Sequence, residues 1–236
     1  YYFDVNILSV FKMQNMEERN LVSKKGHDLA ANIYPRLYYE ITNTLGFSLM
    51  YNGGAFSMFY FPYNDVVFWN EEIIRNNSLC NLRSLHLQKL GTVGYGKRGD
   101  ILDAHVLKKG FIFTREGIGV PNLSISDGYS ALAYLNSIVA QYTINLYCAQ
   151  HKGNGYVNIL PMPDYDKSLS DIESIVNSII DIKRHWFSLD ETNLEYHGLI
   201  AQMSISDSIE DSINRMQEGI TADYQHYQEL VKENDN

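Results

Sequence analysis

Apolar and polar positions follow two regimes along the 236 residues. Up to about residue 163, apolar residues come in short runs cut by turn residues. Beyond it they recur at helical spacing on a polar background. Residues 1–11 (YYFDVNILSVF) are aromatic and β-branched and predict a strand. Polar residues 12–28 predict a loop or irregular helix. Leu37, Ile41 and Leu45 recur every four residues and predict a helix from Pro35 to about Leu45, stopped by Gly46. Residues 47–70 hold two strand-like pieces. They are separated by the Asn52-Gly53-Gly54 turn signal and by Pro62 with Tyr63-Asn64-Asp65. Glu71 to about Leu82 predicts a short helix or an irregular connection. Residues 85–99 contain Gly91, Gly94, Gly96 and Gly99 and predict a tightly turned loop with Lys97 and Arg98 at its tip. Residues 101–107 and 111–114 predict strands joined by a turn at Lys108-Lys109-Gly110. Leu132, Leu135, Ile138, Val139, Tyr142, Leu146 and Cys148 give one apolar face to a helix over 128–149, capped by Ser126 or Asp127. After the HKGNG turn, Tyr156–Leu160 predicts a strand that Pro161 and Pro163 end.

The second regime is helical. Ile172, Ile175, Val176, Ile179, Ile180 and Trp186 share a face of a helix over 168–188, with Ser170 as cap. After a less regular joint at 189–203, Ile205, Ile209, Ile213, Met216, Ile220, Tyr224, Tyr227 and Val231 follow coiled-coil-like steps over 205–232. One narrow seam on a polar helix implies a partner helix, either the preceding one or one from another domain. The expected fold is α+β (mixed α/β): a strand-rich domain with a packed helix at 1–163, then a helical, coiled-coil-like arm at 164–236.

Charge sharpens this division. The chain carries 28 Asp/Glu against 19 Lys/Arg, a net of −9. The acid is concentrated at 164–236, while residues 80–115 hold Arg83, Lys89, Lys97, Arg98, Lys108, Lys109 and Arg115 against Asp100 and Asp103. A locally basic stretch is the usual electrostatic footprint of phosphate binding. Tyrosine, at 18 residues, suits interfaces and nucleotide stacking as well as core edges. Cys80 and Cys148 are the only cysteines, and with no signal peptide they suit a reducing cytoplasm. No apolar run reaches the roughly 20 residues of a membrane span, so no membrane partner is expected. The chain opens on YYFDVN without a methionine, as a fragment of a longer protein would.

Catalytic patterns are missing. The seven histidines show no H-x-x-x-H or H-E-x-x-H spacing and no C-x-x-C occurs, which argues against a metal site. Cys148 lies on a core-like helix face and Cys80 follows a polar run, so neither reads as a nucleophile. The Asp100/Asp103 and Asp190/Glu191 pairs read as solvated surface acid with no raised pKa. There is no G-x-x-x-x-G-K-S/T loop, no G-x-S-x-G elbow and no dinucleotide fingerprint. All five prolines are isolated, which removes the Pro-Pro motif that amino-methylating enzymes use to hold a target amine. No glycine-rich motif for S-adenosylmethionine follows a strand. Elimination leaves a binding module.

The order of several motifs resembles a family. Asn52-Gly53-Gly54-Ala55-Phe56-Ser57, followed by Val66-Val67-Phe68-Trp69-Asn70, is similar to the "KGG-F … VVNW" segment of large adenine-specific DNA methyltransferases, the phage-exclusion (BREX-like) and fused type IIG restriction-modification enzymes. Thr92-Val93-Gly94-Tyr95 with Lys97-Arg98-Gly99 resembles their "G-(I/L)-T-(W/Y)-x-x-(R/S)" turn. Leu107-Lys108-Lys109-Gly110-Phe111-Ile112-Phe113 resembles "L-P-K-G-x-I-F", and Leu135-Asn136-Ser137 resembles the "LLNS" helix. Gly155 to Pro163 resembles the strand that closes the recognition domain, and Trp186-Phe187-Ser188 with Asp190-Glu191-Thr192 the joint between the C-terminal helices. The resemblance spans roughly 47–195. Lys108 stands where the family has proline, Met58 and Phe61 where it is more polar, and the catalytic half is absent.

This resemblance implies a C-terminal target-recognition region (1–163) with its helical arm. Its expected partners are double-stranded DNA and a methyltransferase catalytic domain, in the same polypeptide or a partner subunit. No cofactor is expected in this chain; S-adenosylmethionine belongs to the missing domain. A second lobe must grip the duplex while the adenine leaves the stack. On this reading Lys89, Lys97, Lys108, Lys109 and Lys152 offset phosphate charge. Arg98 and Arg115 suit a guanine edge, worth about 1–3 kcal/mol per bidentate pair, and Tyr95 and Asn154 touch a groove or the backbone. Arg115 could equally pair with Glu116 or Asp127. The competing expectation is a protein-interaction module, either a specificity-type subunit docking through its arm or an acidic DNA mimic; segregation of the acid onto the arm disfavours the mimic.

Overall fold

A computed structural model describes residues 9–30, 35–53, 56–83, 93–121, 123–165, 168–198 and 208–236. The fold is mixed α+β, with two small sheets in the N-terminal part followed by helices. One sheet joins β1 (Pro35–Leu37), β3 (Asp65–Phe68), β2 (Phe47–Tyr51) and β6 (Ile112–Phe113) in that order. The β2–β6 pair is parallel and the others antiparallel. The second sheet is antiparallel, in the order β5 (His105–Val106), β4 (Val93–Gly96), β7 (Gly117–Val120). The helices are α1 (Glu71–Arg75), α2 (Ile125–Asn136), α3 (Ile138–Asn145), α4 (Asn154–Asn158), α5 (Leu169–Phe187) and α6 (Ile209–Asn234).

Several expectations need correction. Residues 1–8 lie outside the described residues, and 9–13 form helical turns closed by Lys12 N–H to Ser9 O and Met13 N–H to Val10 O, with no strand. The expected helix at 35–45 is an edge strand plus one 3-10 turn (Tyr38–Glu40). Pro35 sits on that edge, where its missing N–H costs nothing, and Leu45 is 81% exposed, so its spacing marks no buried face. Val93–Gly96 is the buried centre of the second sheet, not a loop; residues 84–92 lie outside the described residues. Gly94 answers a close approach between the two sheets. A Cβ there would come within 2.5 Å of Leu107 Cδ1 and 2.7 Å of Tyr51 Cε1. The turn at Lys108-Lys109-Gly110 is present, with Gly110 at φ +105°, but its two strands enter different sheets and make no hairpin.

The helix expected over 128–149 is two helices. Ser124, not Ser126 or Asp127, caps α2 by accepting from Asp127 N–H. Ser137 turns extended (ψ 152°), donates its hydroxyl to Tyr134 O and accepts from Ala140 N–H. That break rotates Ile138, Val139 and Tyr142 outward, and all three are exposed. Residues 156–160 are not a strand. Gly153 starts the short α4, whose Asn158 side-chain Oδ1 accepts from the backbone N–H and the hydroxyl of Ser23. A short apolar run bounded by Gly and Pro cannot distinguish a strand from a helical turn by periodicity alone.

The acidic arm shares the main core. Val176, Ile179 and Ile180 of α5 join Leu132, Leu135 and Tyr95 in one apolar cluster. Lys183 is buried and donates from Nζ to Ser57 Oγ and Met58 O, both at 2.6 Å. Burial pushes its pKa down to about 8, with Asp103 opposing. The end of α6 docks on the α2–α3 junction: Asn234 donates to Ala133 O, and Asp235 accepts from Ile138 N–H at the α3 N-terminus, where a carboxylate is favoured. The α6 seam is only half used. Ser212, Leu230 and partly Met216 and Tyr227 face inward, while Ile209, Ile213, Ile220 and Tyr224 stay exposed; Ile205 lies outside the described residues. Among the described residues no helix is long and apolar enough to cross a membrane.

Candidate nucleic-acid interface

The segment after β4 is bolted down. Lys97 N–H donates to Glu116 O, Lys152 N–H to Lys97 O and Gly99 N–H to Gln150 O. Asp103 is buried and accepts from Gly96 N–H (2.9 Å) and Phe56 N–H (2.8 Å). Burial raises its pKa, though these backbone donors and Lys152 pull the other way, so Asp103 is no solvated surface acid. Lys152 Nζ donates to Gly99 O (2.7 Å) and Ala149 O (3.2 Å) and is fully buried. It clamps the segment from beneath and cannot meet a phosphate. Tyr95 is also fully buried in the main cluster and cannot reach a groove.

On this mount four cations are strung on two carboxylates. Lys97 and Arg98 both bond Glu116, at 3.2 and 2.7 Å. Arg83 bonds Asp28 at 2.9 Å and Arg115 stands 3.8 Å from it. Arg115 and Glu116 are chain neighbours, so the two strings meet. Burial pushes the Glu116 pKa up, but the bonds from Lys97 and Arg98 outweigh it and hold the carboxylate below its usual range. The side chains of Arg98 and Arg115 are 67% and 57% exposed, whereas Lys97 is 16% exposed and largely spent on Glu116. Of the alternatives for Arg115, neither Glu116 nor Asp127 is its partner; Asp28 is.

The other expected contacts lie in different settings. Lys108 bonds Glu195, which also accepts from the Tyr60 hydroxyl and stands 3.6 Å from Arg184 Nε. Burial pushes the Glu195 pKa up, but its bonds with Lys108 and Tyr60 and the nearby Arg184 leave it lowered. Lys108 thus ties the turn to the joint after α5. Lys109 is exposed on the same turn. Asn154 is half-buried at the start of α4, its carbonyl accepting from Ser23 Oγ. Lys89 lies outside the described residues. Cys148 is buried with its thiol pKa raised by burial, and Cys80 accepts from Ala30 N–H.

Beside the cation string opens a cleft of about 510 Å³. Its floor is the strip 26–28, held on one side by Phe113, Thr114 and Arg115 and on the other by Asn81 and Arg83. His27 Nδ1 accepts from Arg83 N–H, the ring packs on Trp69, and burial pushes its pKa down to about 4. Met50, Leu29 and Pro35 supply apolar wall; Asn52, Asp65 and Arg115 supply polar groups. Nothing in the sequence marks Asp65 and Asp28, because the segments that meet here are far apart in the chain. The Asn52-Gly53 turn signal was visible, but the side chain's place at the cleft was not. A scan against protein-family models and a search of curated proteins find no match to this chain.

Proposed function

We propose that the chain is the sequence-recognition module of an adenine-specific DNA methyltransferase of the restriction-modification or phage-defence kind. It would act with a separate catalytic domain that binds S-adenosylmethionine. The observation that carries this reading is the paired string of Lys97, Arg98, Arg83 and Arg115 on Glu116 and Asp28. Four cations against two carboxylates leave an excess of positive charge on a chain that is acidic overall. The carboxylates hold the guanidinium groups in place before DNA arrives, which lowers the ordering cost of binding. Arg98 and Arg115 keep donors for a phosphate or a guanine edge. Lys109 would add phosphate contact, while Lys108, Lys152 and Tyr95 serve the scaffold. The test is a titration of labelled duplex DNA at two salt concentrations. Lys97→Ala/Arg98→Ala should weaken binding and reduce the salt slope by roughly 1–2 in log K against log salt. No binding of the folded chain at low salt would reject the reading.

A second reading, a protein-interaction module, is favoured by the exposed stripe Ile209, Ile213, Ile220 and Tyr224 on α6. Under the first reading the same stripe braces the module against its catalytic partner.

A further inference from the structure

The cleft beside the cation string holds hydrogen-bonding capacity that the chain itself leaves unused. Asp65 is half-buried on β3; its carboxyl has no hydrogen-bond or ion-pair partner among the described residues, and burial alone raises its pKa. A desolvated carboxyl without a donor is unfavourable unless something supplies one. Asn52 accepts from Thr114 Oγ1 at 2.7 Å, which turns its carbonyl inward and leaves its exposed amide NH₂ to donate. Arg115 lies 3.8 Å from Asp28, beyond a close bond, with its side chain more than half exposed. Met50, Leu29 and Pro35 line the same space with apolar surface.

The charge balance excludes a bare phosphate as the main occupant. Asp28, Asp65 and Glu116 all line the cleft and Arg115 is the one Lys or Arg among its lining residues, so an anion inside it would face three carboxyl groups, whereas the excess of cations lies outside along the string. The cleft suits a flat, neutral ring that offers a donor to a carboxyl and an acceptor to an amide. Carboxylates accept from the cytosine amine, and asparagine reads the adenine edge, by this same complementarity.

We infer that the cleft is a base-binding site for a nucleobase with an exocyclic amino group, the amine on Asp65, a ring acceptor on the Asn52 amide and the attached sugar-phosphate toward Arg115. This deepens the DNA-recognition reading and rests on it only for the source of the base. A base displaced from a strand and a free nucleotide present the same chemistry.

The test is calorimetric titration of the full chain with AMP, CMP and UMP, and in parallel with single-stranded oligo-dA and oligo-dT. AMP or CMP should bind about tenfold or more tightly than UMP, and one amino-bearing base should be preferred in the strand series too. Asp65→Val, which keeps a strand-forming residue on β3, should erase the preference. Arg115→Ala should weaken all ligands alike. Thermal melts establish that each variant is folded, and Asp65→Asn serves as the near-isosteric second variant. Equal affinity for AMP and UMP, or no binding by the folded wild-type chain at millimolar ligand, overturns the inference. Nucleotide selectivity without duplex binding would sustain the cleft and reject the DNA reading. Salt-dependent duplex binding without base selectivity would do the reverse.

Discussion

Buried titratable residues set the chain's response to acid. His105 is fully buried against Tyr51, Phe61 and Tyr63, with Nδ1 donating to Asp103 O. Burial pushes its pKa down to about 4 from 6.5, the carbonyl bond opposing, and His27 is pushed to about 4 as well. With the folded value below the unfolded one, the unfolded chain binds more protons between these two pH values. Stability is therefore lost as pH falls through that window. Asp103 and Asp65 act in the opposite sense, because their raised values let the folded chain take up protons first. Between pH 7 and 5 the His105 contribution should approach roughly 2 kcal/mol. Urea unfolding at both pH values should show wild type losing about that much more than His105→Gln. Equal losses would mean that His105 titrates normally in the folded chain.

At the scale of elements, glycine positions distinguish what the local sequence could not. Gly117 opens β7, and a Cβ there would lie 2.5 Å from Tyr51 O and 2.7 Å from Gly53 N, both backbone atoms. Gly117→Ala must push strands apart and should cost more than about 2 kcal/mol. Gly155 lies in α4 with nothing near its Cβ direction. Gly155→Ala should stabilise by about 0.5–1 kcal/mol. Chemical denaturation of both variants checks the pair, and a destabilised Gly155→Ala would favour the strand expected at 156–160 over the helix. The sequence showed where apolar segments begin and end, and it placed β2, β3, α1, α5 and α6 close to their positions. It erred where tertiary context decides. Pro35–Leu37 becomes a strand because Val66 and Val67 pair with it, and Ser137 splits a helix whose periodicity runs through the break. Charge-bearing residues were legible as a basic stretch, but not which are spent. Lys152 lies under two carbonyls and Lys108 on Glu195, partners that come from packing. Asp28 and Glu116, which organise the candidate site, belong to no motif.

At the scale of the molecule, the acidic C-terminal residues are part of the body that carries the basic string. The change of composition near residue 163 does not divide the core among the described residues, since α5 covers α2 and Lys183 reaches Ser57 and Met58. Burying Val176, Ile179 and Ile180 is worth about 1.5–3 kcal/mol for each side chain. Together that approaches the whole margin of about 5–15 kcal/mol by which domains are stable. A fragment ending at Pro163 would expose the α2 face and leave Ser57 and the Met58 carbonyl without their buried donor. Such a fragment should lack a cooperative thermal transition and should bind a hydrophobic dye, whereas the full chain should melt in one step. If the fragment instead melts cooperatively near the parent temperature, the helices are an appendage and the two parts can be assigned separate functions. A single shared transition would mean that any partner gripping the exposed α6 stripe pulls on the same rigid body that holds Arg98 and Arg115.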